Sequence, residues 1–147
     1  MVNLINPEAW NSETIGHPPE YFKARDISID CRGPVRISGL SKWGLNIRTY
    51  TVSHDLADFD ETVLRPLQVD DYAWICSDVV LYNTHIGEGA IVACGSVVRS
   101  RDVPPWTMCE GNPARIIAEF DHEREKWIYL RESWPLPTAA GWKGTIE

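Results

Sequence analysis

Residues of inward type recur at a six-residue spacing along this chain. Ile86, Val92 and Val98 stand six apart, with small Ala90 and Ser96 four places after the first two. Upstream, Val69, Ile75 and Leu81 repeat the step with Ala73 and Val79 in the same offset, and Ile37, Trp43 and Thr49 repeat it again. Helical faces recur every three or four residues and exposed strands alternate every two, so a six-residue unit fits neither. It fits a short strand followed by a corner. Three such units close a triangular coil of about 18 residues, and coils stack at a strand spacing of about 4.8 Å. The first residue of each unit fills the interior. The fifth sits near a corner, where a large side chain would force coils apart, while Gly and Asn supply the unusual dihedrals of the turns. Spacing does not fix the hand of the coil, and a left-handed one would depart from the usual right-handed crossover.

Two breaks in the rhythm carry information. Residues from about 53 to 66 (SHDLADFDETVLRP) interrupt the count and are expected to loop away from the coils. A single residue is missing in the corner between Tyr82 and His85, because the count from Leu81 reaches Gly87 while the next repeat starts at Ile86. The repeat therefore covers residues 27–103. Residues 1–26, with Pro7, Pro18 and Pro19, carry no hexad and are expected to pack irregularly at one end. Residues 104–147 begin with Pro104 and Pro105, which cannot donate ladder hydrogen bonds. There RIIAEF reads as a strand, and from the N-cap candidate Asp121 the spacing of Trp127, Leu130 and Trp134 predicts a short helix before an extended tail tied down at Trp142.

Composition excludes several classes. A length of 147 residues, 44% hydrophobic and 24% charged, suits one soluble globular domain. The opening MVNLINPEAW has neither a basic flank nor a continuous apolar run, and no stretch approaches about 18 apolar residues, so neither a secretion signal nor a membrane span is expected and the location expected is cytoplasmic. Cys31, Cys76, Cys94 and Cys109 lack CxxC pairing and read as small buried apolar residues; no metal site is expected. A net charge of −7 argues against a nucleic-acid partner, whose backbone demands a dominant basic patch. Seven Trp are many for this length and suggest a ligand-contacting aromatic or a subunit interface.

The order of motifs resembles the hexapeptide-repeat acyltransferases, in particular the maltose, galactoside, Nod-factor and colanic-acid O-acetyltransferase branch. The residues that carry the resemblance are TVSHD at 51–55, the excursion ending in Arg65 and Pro66, AWICSDVVL at 73–81, IGEGAIVACGSVV at 86–98, DVPPW at 102–106 and EGNPAR at 110–115. The resemblance implies an all-β left-handed parallel β-helix, a homotrimer with active sites between subunits, acetyl-CoA as co-substrate and a sugar or polysaccharide-precursor hydroxyl as acceptor. His54 matches the catalytic histidine. An acceptor hydroxyl is a poor nucleophile until its proton is removed, and an imidazole near neutral pKa is suited to that task, typically worth ~10²–10⁴-fold. Asp55 points to the opposite side of an extended chain from His54, which leaves a backbone carbonyl as the alternative orienting partner.

For the cofactor, the resemblance implies contacts from Trp74 along the pantetheine arm, Ser77 near the thioester, and the small residues Ala93, Cys94 and Ser96. It also implies Arg115, with Arg99 or its neighbour Arg101, on the phosphates, since arginine forms bidentate bonds to phosphate. Outward packing is the competing role of Trp74, and corner packing of the small residues. The usual glycine after the aliphatic residue is replaced by Ser38, Asp70, Cys76 and Ala93, which motivates an alternative reading as a non-catalytic trimeric module; an amino-sugar nitrogen is the alternative acceptor. A zinc hydratase of the same fold would need three converging histidines, two close in sequence, and His17, His54, His85 and His122 offer no such pair.

Overall fold

A computed structural model describes residues 4–130, and they are mostly strand. The strands are dealt in rotation to three sheets. β1 (Leu4–Ile5), helix α1 (Pro19–Lys23) and β2 (Ile27–Asp30) precede the first full circuit, which is β3 (Val35–Ile37), β4 (Lys42–Trp43) and β5 (Ile47–Tyr50). An antiparallel hairpin of β6 (Val52–His54) and β7 (Thr62–Leu64) interrupts it. The second circuit is β8 (Leu67–Val69), β9 (Trp74–Ile75) and β10 (Val80–Tyr82); the third is β11 (Thr84–Ile86), β12 (Ile91–Val92) and β13 (Val97–Arg99). Sheet one is β3-β8-β11, sheet two runs β4-β9-β12 and onward into β14 (Thr107–Gly111), and sheet three is β1-β2-β5-β10-β13, every one of these pairs parallel.

Register brings the hexad positions together. Ile37, Val69 and Ile86 align in sheet one; Trp43, Ile75, Val92 and Cys109 in sheet two; Thr49, Leu81 and Val98 in sheet three. All of them are buried, as are the offset residues Ala73, Val79, Ala90 and Ser96, and the apolar members of the three rows belong to one core. Ile75 pairs with Val92 and Leu81 with Val98, each 17 positions on, so one circuit is one residue shorter than three full hexads. The bridge from Ile86 to Val103 has the same spacing. The short corner at Tyr82–His85 is therefore repeated at Arg99–Asp102.

Corners are built from left-handed residues. Asn46, Asp78 and Gly95 have positive φ at the corner after sheet two, and Asn83 and Ser100 at the corner after sheet three. Such residue types adopt this region at least cost. At the corner after sheet one the left-handed residues are Tyr72, Gly89 and Trp106, and a Cβ on Gly89 would lie 2.5 Å from the Trp106 ring. That glycine is needed twice over, for its φ of +65° and for the ring against it.

The N-terminal segment is more ordered than the missing hexad suggests. β1 adds a strand to sheet three, Ile15 bridges to Ile37 in sheet one, and α1 drives Phe22 fully into the core, edge-on to Trp43 at 5.4 Å. His17 stacks on Tyr21 at 3.9 Å and its Nε2 donates to the Ser41 carbonyl at 2.8 Å. Burial holds the His17 pKa below the ordinary histidine value; the Ser41 carbonyl offsets part of this and Arg25 adds to it.

The helix expected after Asp121 is corrected over the described residues. β15 (Ala114–Asp121) pairs antiparallel with β14 and β16 (Lys126–Tyr129) antiparallel with β15, extending sheet two, and the remainder of the expected helix, with Trp134, Trp142 and the tail, lies outside the described residues. Asp121 Oδ1 does cap the following amides, accepting from Glu123 N at 3.0 Å and Arg124 N at 3.1 Å. Glu125 then takes a positive φ, which stops helix propagation, and Trp127 meets Phe120 across the strands at 5.4 Å. Asx-type capping starts turns as readily as helices, and aromatic cross-strand pairing decided the outcome. Among the described residues no helix is long and apolar enough to cross a membrane.

Two tests follow from these contacts. Gly89→Ala should destabilise by about 1–3 kcal/mol in urea unfolding, whereas Gly95→Ala, with positive φ but open space around it, should lose only the backbone part of about 1 kcal/mol. For His17 the folded state favours the neutral ring, so its contribution is fully present above pH ~6.5 and lost as pH falls below that value. Unfolding midpoints measured from pH 7.5 to pH 5 should fall in the native protein and fall less in His17→Gln.

Candidate active site

His54 ends β6 on the hairpin that replaces the corner between sheets three and one. The hairpin is short, pairing Val52 with Leu64, Ser53 with Val63 and His54 with Thr62. The His54 side chain is exposed, and its Nδ1 lies 2.9 Å from the Phe59 carbonyl oxygen. A carbonyl only accepts, so Nδ1 carries the proton in this contact and Nε2 of the neutral ring keeps its lone pair. The orienting partner is thus a backbone carbonyl. Asp55 instead turns the loop, its Oδ1 accepting from Ala57 N at 2.7 Å.

Most of the residues expected at the cofactor gather on sheet two and the corner after it. Trp74 projects from sheet two in a row with Lys42, Ile91 and Met108, and half of its surface is exposed. Three residues on, Ser77 Oγ accepts from Leu45 N at 2.9 Å, and Ser77 O accepts from Gly95 N at 3.0 Å. Ala93 and exposed Cys94 occupy the same corner one circuit later. Arg115 is exposed on β15 opposite Glu110.

Other expectations part from this grouping. Ser96 is fully buried and its Oγ accepts from Gly111 N at 3.2 Å, so its side chain is a packing residue and has no surface for a cofactor. Arg99 lies exposed at the end of β13 in sheet three, next to Tyr82, and Arg101 turns Nη1 toward the Ala114 carbonyl at 3.4 Å. Of the cysteines, Cys31 and Cys109 are buried as expected, but Cys94 is exposed and Cys76 only partly covered. Burial pushes the Cys76 thiol up to about 11 and the Cys109 thiol to about 12, so neither offers a thiolate at neutral pH.

Within one chain, His54 and the sheet-two group are separated. The hairpin leaves from the junction of sheets three and one, while Trp74, Ser77, Ala93 and Cys94 lie along sheet two and the junction of sheets two and three. The core rows lie between the hairpin corner and the outer face of sheet two that carries Trp74, and the width of sheet three separates that corner from the one holding Ser77, Ala93 and Cys94.

Two arrangements were not legible in the sequence. Along sheet one, Arg36, Ser38, Asp70, Asp71 and Glu88 line a groove of about 530 Å³, and beside it His85 Nε2 lies 2.6 Å from Asp70 Oδ2. The outward alignment of Arg36, Gln68 and His85 depends on the 17-residue circuit and on the length of the hairpin insertion. The second is the buried Asp30. It sits beside Ile29 and Cys31 and accepts from Arg32 and from Thr51 at the root of the His54 hairpin. Only an acid between the apolar residues Ile29 and Cys31 signals it.

No family model matches the chain. Among curated proteins it is similar to the galactoside O-acetyltransferase of Escherichia coli, 30% identical over 89 residues, which are 60% of this chain and 43% of that protein. It is also similar to a Schizosaccharomyces pombe protein provisionally named an acetyltransferase, 37% identical over 87 residues, 54% of this chain and 41% of that one. The chain thus spans less than half the length of these relatives. Among solved structures, a maltose O-acetyltransferase from Clostridium difficile superposes with a TM-score of 0.50 at 29% identity, over 55% of this chain and 46% of that one. Over its strand-rich region, the chain is a homologue of proteins named as O-acetyltransferases and acetyltransferases.

Proposed function

We propose that this protein transfers an acetyl group from acetyl-CoA to a hydroxyl of a sugar or polysaccharide precursor, with His54 as general base. The observation that carries the reading is the His54 ring, fixed through Nδ1 on the Phe59 carbonyl with Nε2 free and facing solvent. A base must present an unprotonated nitrogen in a defined direction, and a second contact on the other ring nitrogen is the usual way to define it. Nε2 takes the proton from the acceptor hydroxyl as its oxygen attacks the thioester carbonyl. When the carbon–sulfur bond breaks, the imidazolium returns that proton to the departing sulfur. The names of the galactoside and maltose relatives support a sugar hydroxyl as acceptor.

The sheet-two corner suits the co-substrate. Trp74 offers a flat, half-exposed apolar face for the pantetheine arm, and Ser77, Ala93 and Cys94 put only small side chains at the adjoining corner. Ser77 accepts a bond from Leu45 N, which leaves its own hydroxyl hydrogen to stabilise negative charge developing on the thioester oxygen. The exposed guanidiniums of Arg115 and Arg99 are the cations for phosphate.

The fold in this reading is the left-handed parallel β-helix, and the active unit is a homotrimer. Separation of His54 from Trp74 by the core supports assembly of the site between subunits. So does exposed apolar surface at both places: Leu56 at 86% and Phe59 at 68% on the hairpin, and Leu45, Tyr72 and Trp74 around sheet two. A cyclic, head-to-tail interface would bury one patch against the other.

Thiol release from acetyl-CoA with a panel of sugars should depend on the acceptor and fall by ~10²–10⁴-fold in His54→Ala. Undiminished turnover in that variant would remove His54 from the mechanism. Independently, nitrogen-15 spectra at pH 8 should find the His54 ring as the Nδ1–H tautomer; an Nε2–H ring would break the link to Phe59 and leave no free base where the reaction needs one.

A further inference from the structure

The hairpin that carries His54 has few contacts of its own. Its turn residues 55–62 are all exposed, and an isolated two-stranded hairpin is marginal in water. Its direction is therefore set where it leaves the body of the protein. At that root, Thr51 is buried and Arg65 N donates to the Thr51 carbonyl at 2.7 Å, so both legs meet at one residue.

Thr51 is in turn held by Asp30. The Thr51 amide donates to Asp30 Oδ2 at 2.9 Å, and the Thr51 hydroxyl donates to the Asp30 carbonyl at 3.0 Å while accepting from Gly33 N at 2.8 Å. Asp30 is fully buried, and its carboxylate is completed by Arg32 through Nε and Nη2, both at 2.8 Å, and through the Arg32 amide at 3.1 Å. The Asp30 amide donates to Thr49 Oγ1 at 3.0 Å, tying the same residue to the core row of sheet three. Burying a carboxylate is costly unless every acceptor position is used, and an apolar residue would fill this place at less cost. With its acceptors engaged, the carboxylate joins the end of β2, Arg32 and Thr51 in one arrangement.

We propose that Asp30 is the positioning residue for His54: through Thr51 it fixes the angle at which the hairpin leaves sheet three and hence where the imidazole stands. This rests on the reading of His54 as general base. His54 stands three positions beyond Thr51, about 10 Å of extended chain, so a tilt of about 10° at the root moves the ring by about 2 Å. A misplacement of about 1 Å can cost ~10²-fold in rate.

The test is Asp30→Asn, which keeps the shape and removes the charge. It should lower kcat for acetyl transfer by about 10–100-fold with KM for acetyl-CoA unchanged, and should lower nothing further in a His54→Ala background. Amide hydrogen exchange at Asp55 and Arg65, whose N–H groups close the hairpin, should accelerate in Asp30→Asn, and this readout needs no transferase activity. Thr51→Ser should keep native kcat and Thr51→Val should lose part of it, which covers the case where Asp30→Asn does not fold. An equal loss of activity with and without His54, or unchanged exchange at both amides in a folded Asp30→Asn or Thr51→Val protein, would overturn the assignment. Absence of acetyl transfer in the native protein would instead sink the general-base reading and leave the exchange result to decide whether Asp30 holds the hairpin.

Discussion

Like residues stack on like across three parallel sheets, and both the core and the placement of the corners follow from that stacking. Each inward side chain rests on its counterpart one circuit away, as Ile75 does between Trp43 and Val92. A residue in such a stack must match the volume left by two neighbours of the same row, and in the second and third circuits the fifth hexad position is filled by Ala73, Val79, Ala90 and Ser96, with the larger Ile47 in the first. The ladder hydrogen bonds follow from the same register. Cys76 N to the Val92 carbonyl and Ala93 N to the Cys109 carbonyl continue sheet two straight into its corner.

Regular stacking leaves the corners as the places where chemistry can be added. The outward ends of the strands and the left-handed turn residues are free to vary in side chain, and an insertion at a corner does not disturb the rows within. The hairpin from Val52 to Leu64 is such an insertion: β5 and β8 on either side of it keep register with β10 and β11. The cost is that an inserted hairpin brings no core of its own. Here a buried carboxylate, its guanidinium and one threonine stand in for that core at the root. The N-terminal end meets a different problem, an open end of the stack, and covers it with aromatic edges around Phe22.

Much of this was legible because period six belongs to no other common arrangement. The core rows, the excursion and its length, the shortened corner and the strand at RIIAEF all come from counting. Legibility failed where two structures share a signal. Asp121 followed by spaced aromatics suits either a capped helix or a hairpin, and only the Phe120 ring across the turn distinguishes them. It failed also at Ser96, where a small residue in a cofactor-like motif proved to be the buried partner of Gly111. At residues 1–26 the absence of a hexad hid a strand that needs only two residues to pair.

The six-residue spacing alone marks which residues face inward and where the chain departs from the body, because side-chain volume and turn chemistry act over a few neighbouring positions. The sequence also contained His54 and the sheet-two residues as separate local motifs. Three relations came from the fold: the histidine stands across the core from Trp74, its ring leans on Phe59, and Asp30 reaches Thr51 across 21 positions of chain. The Phe59 contact depends on how the hairpin turn closes, and the other two on which strands register sets side by side, which no local spacing encodes.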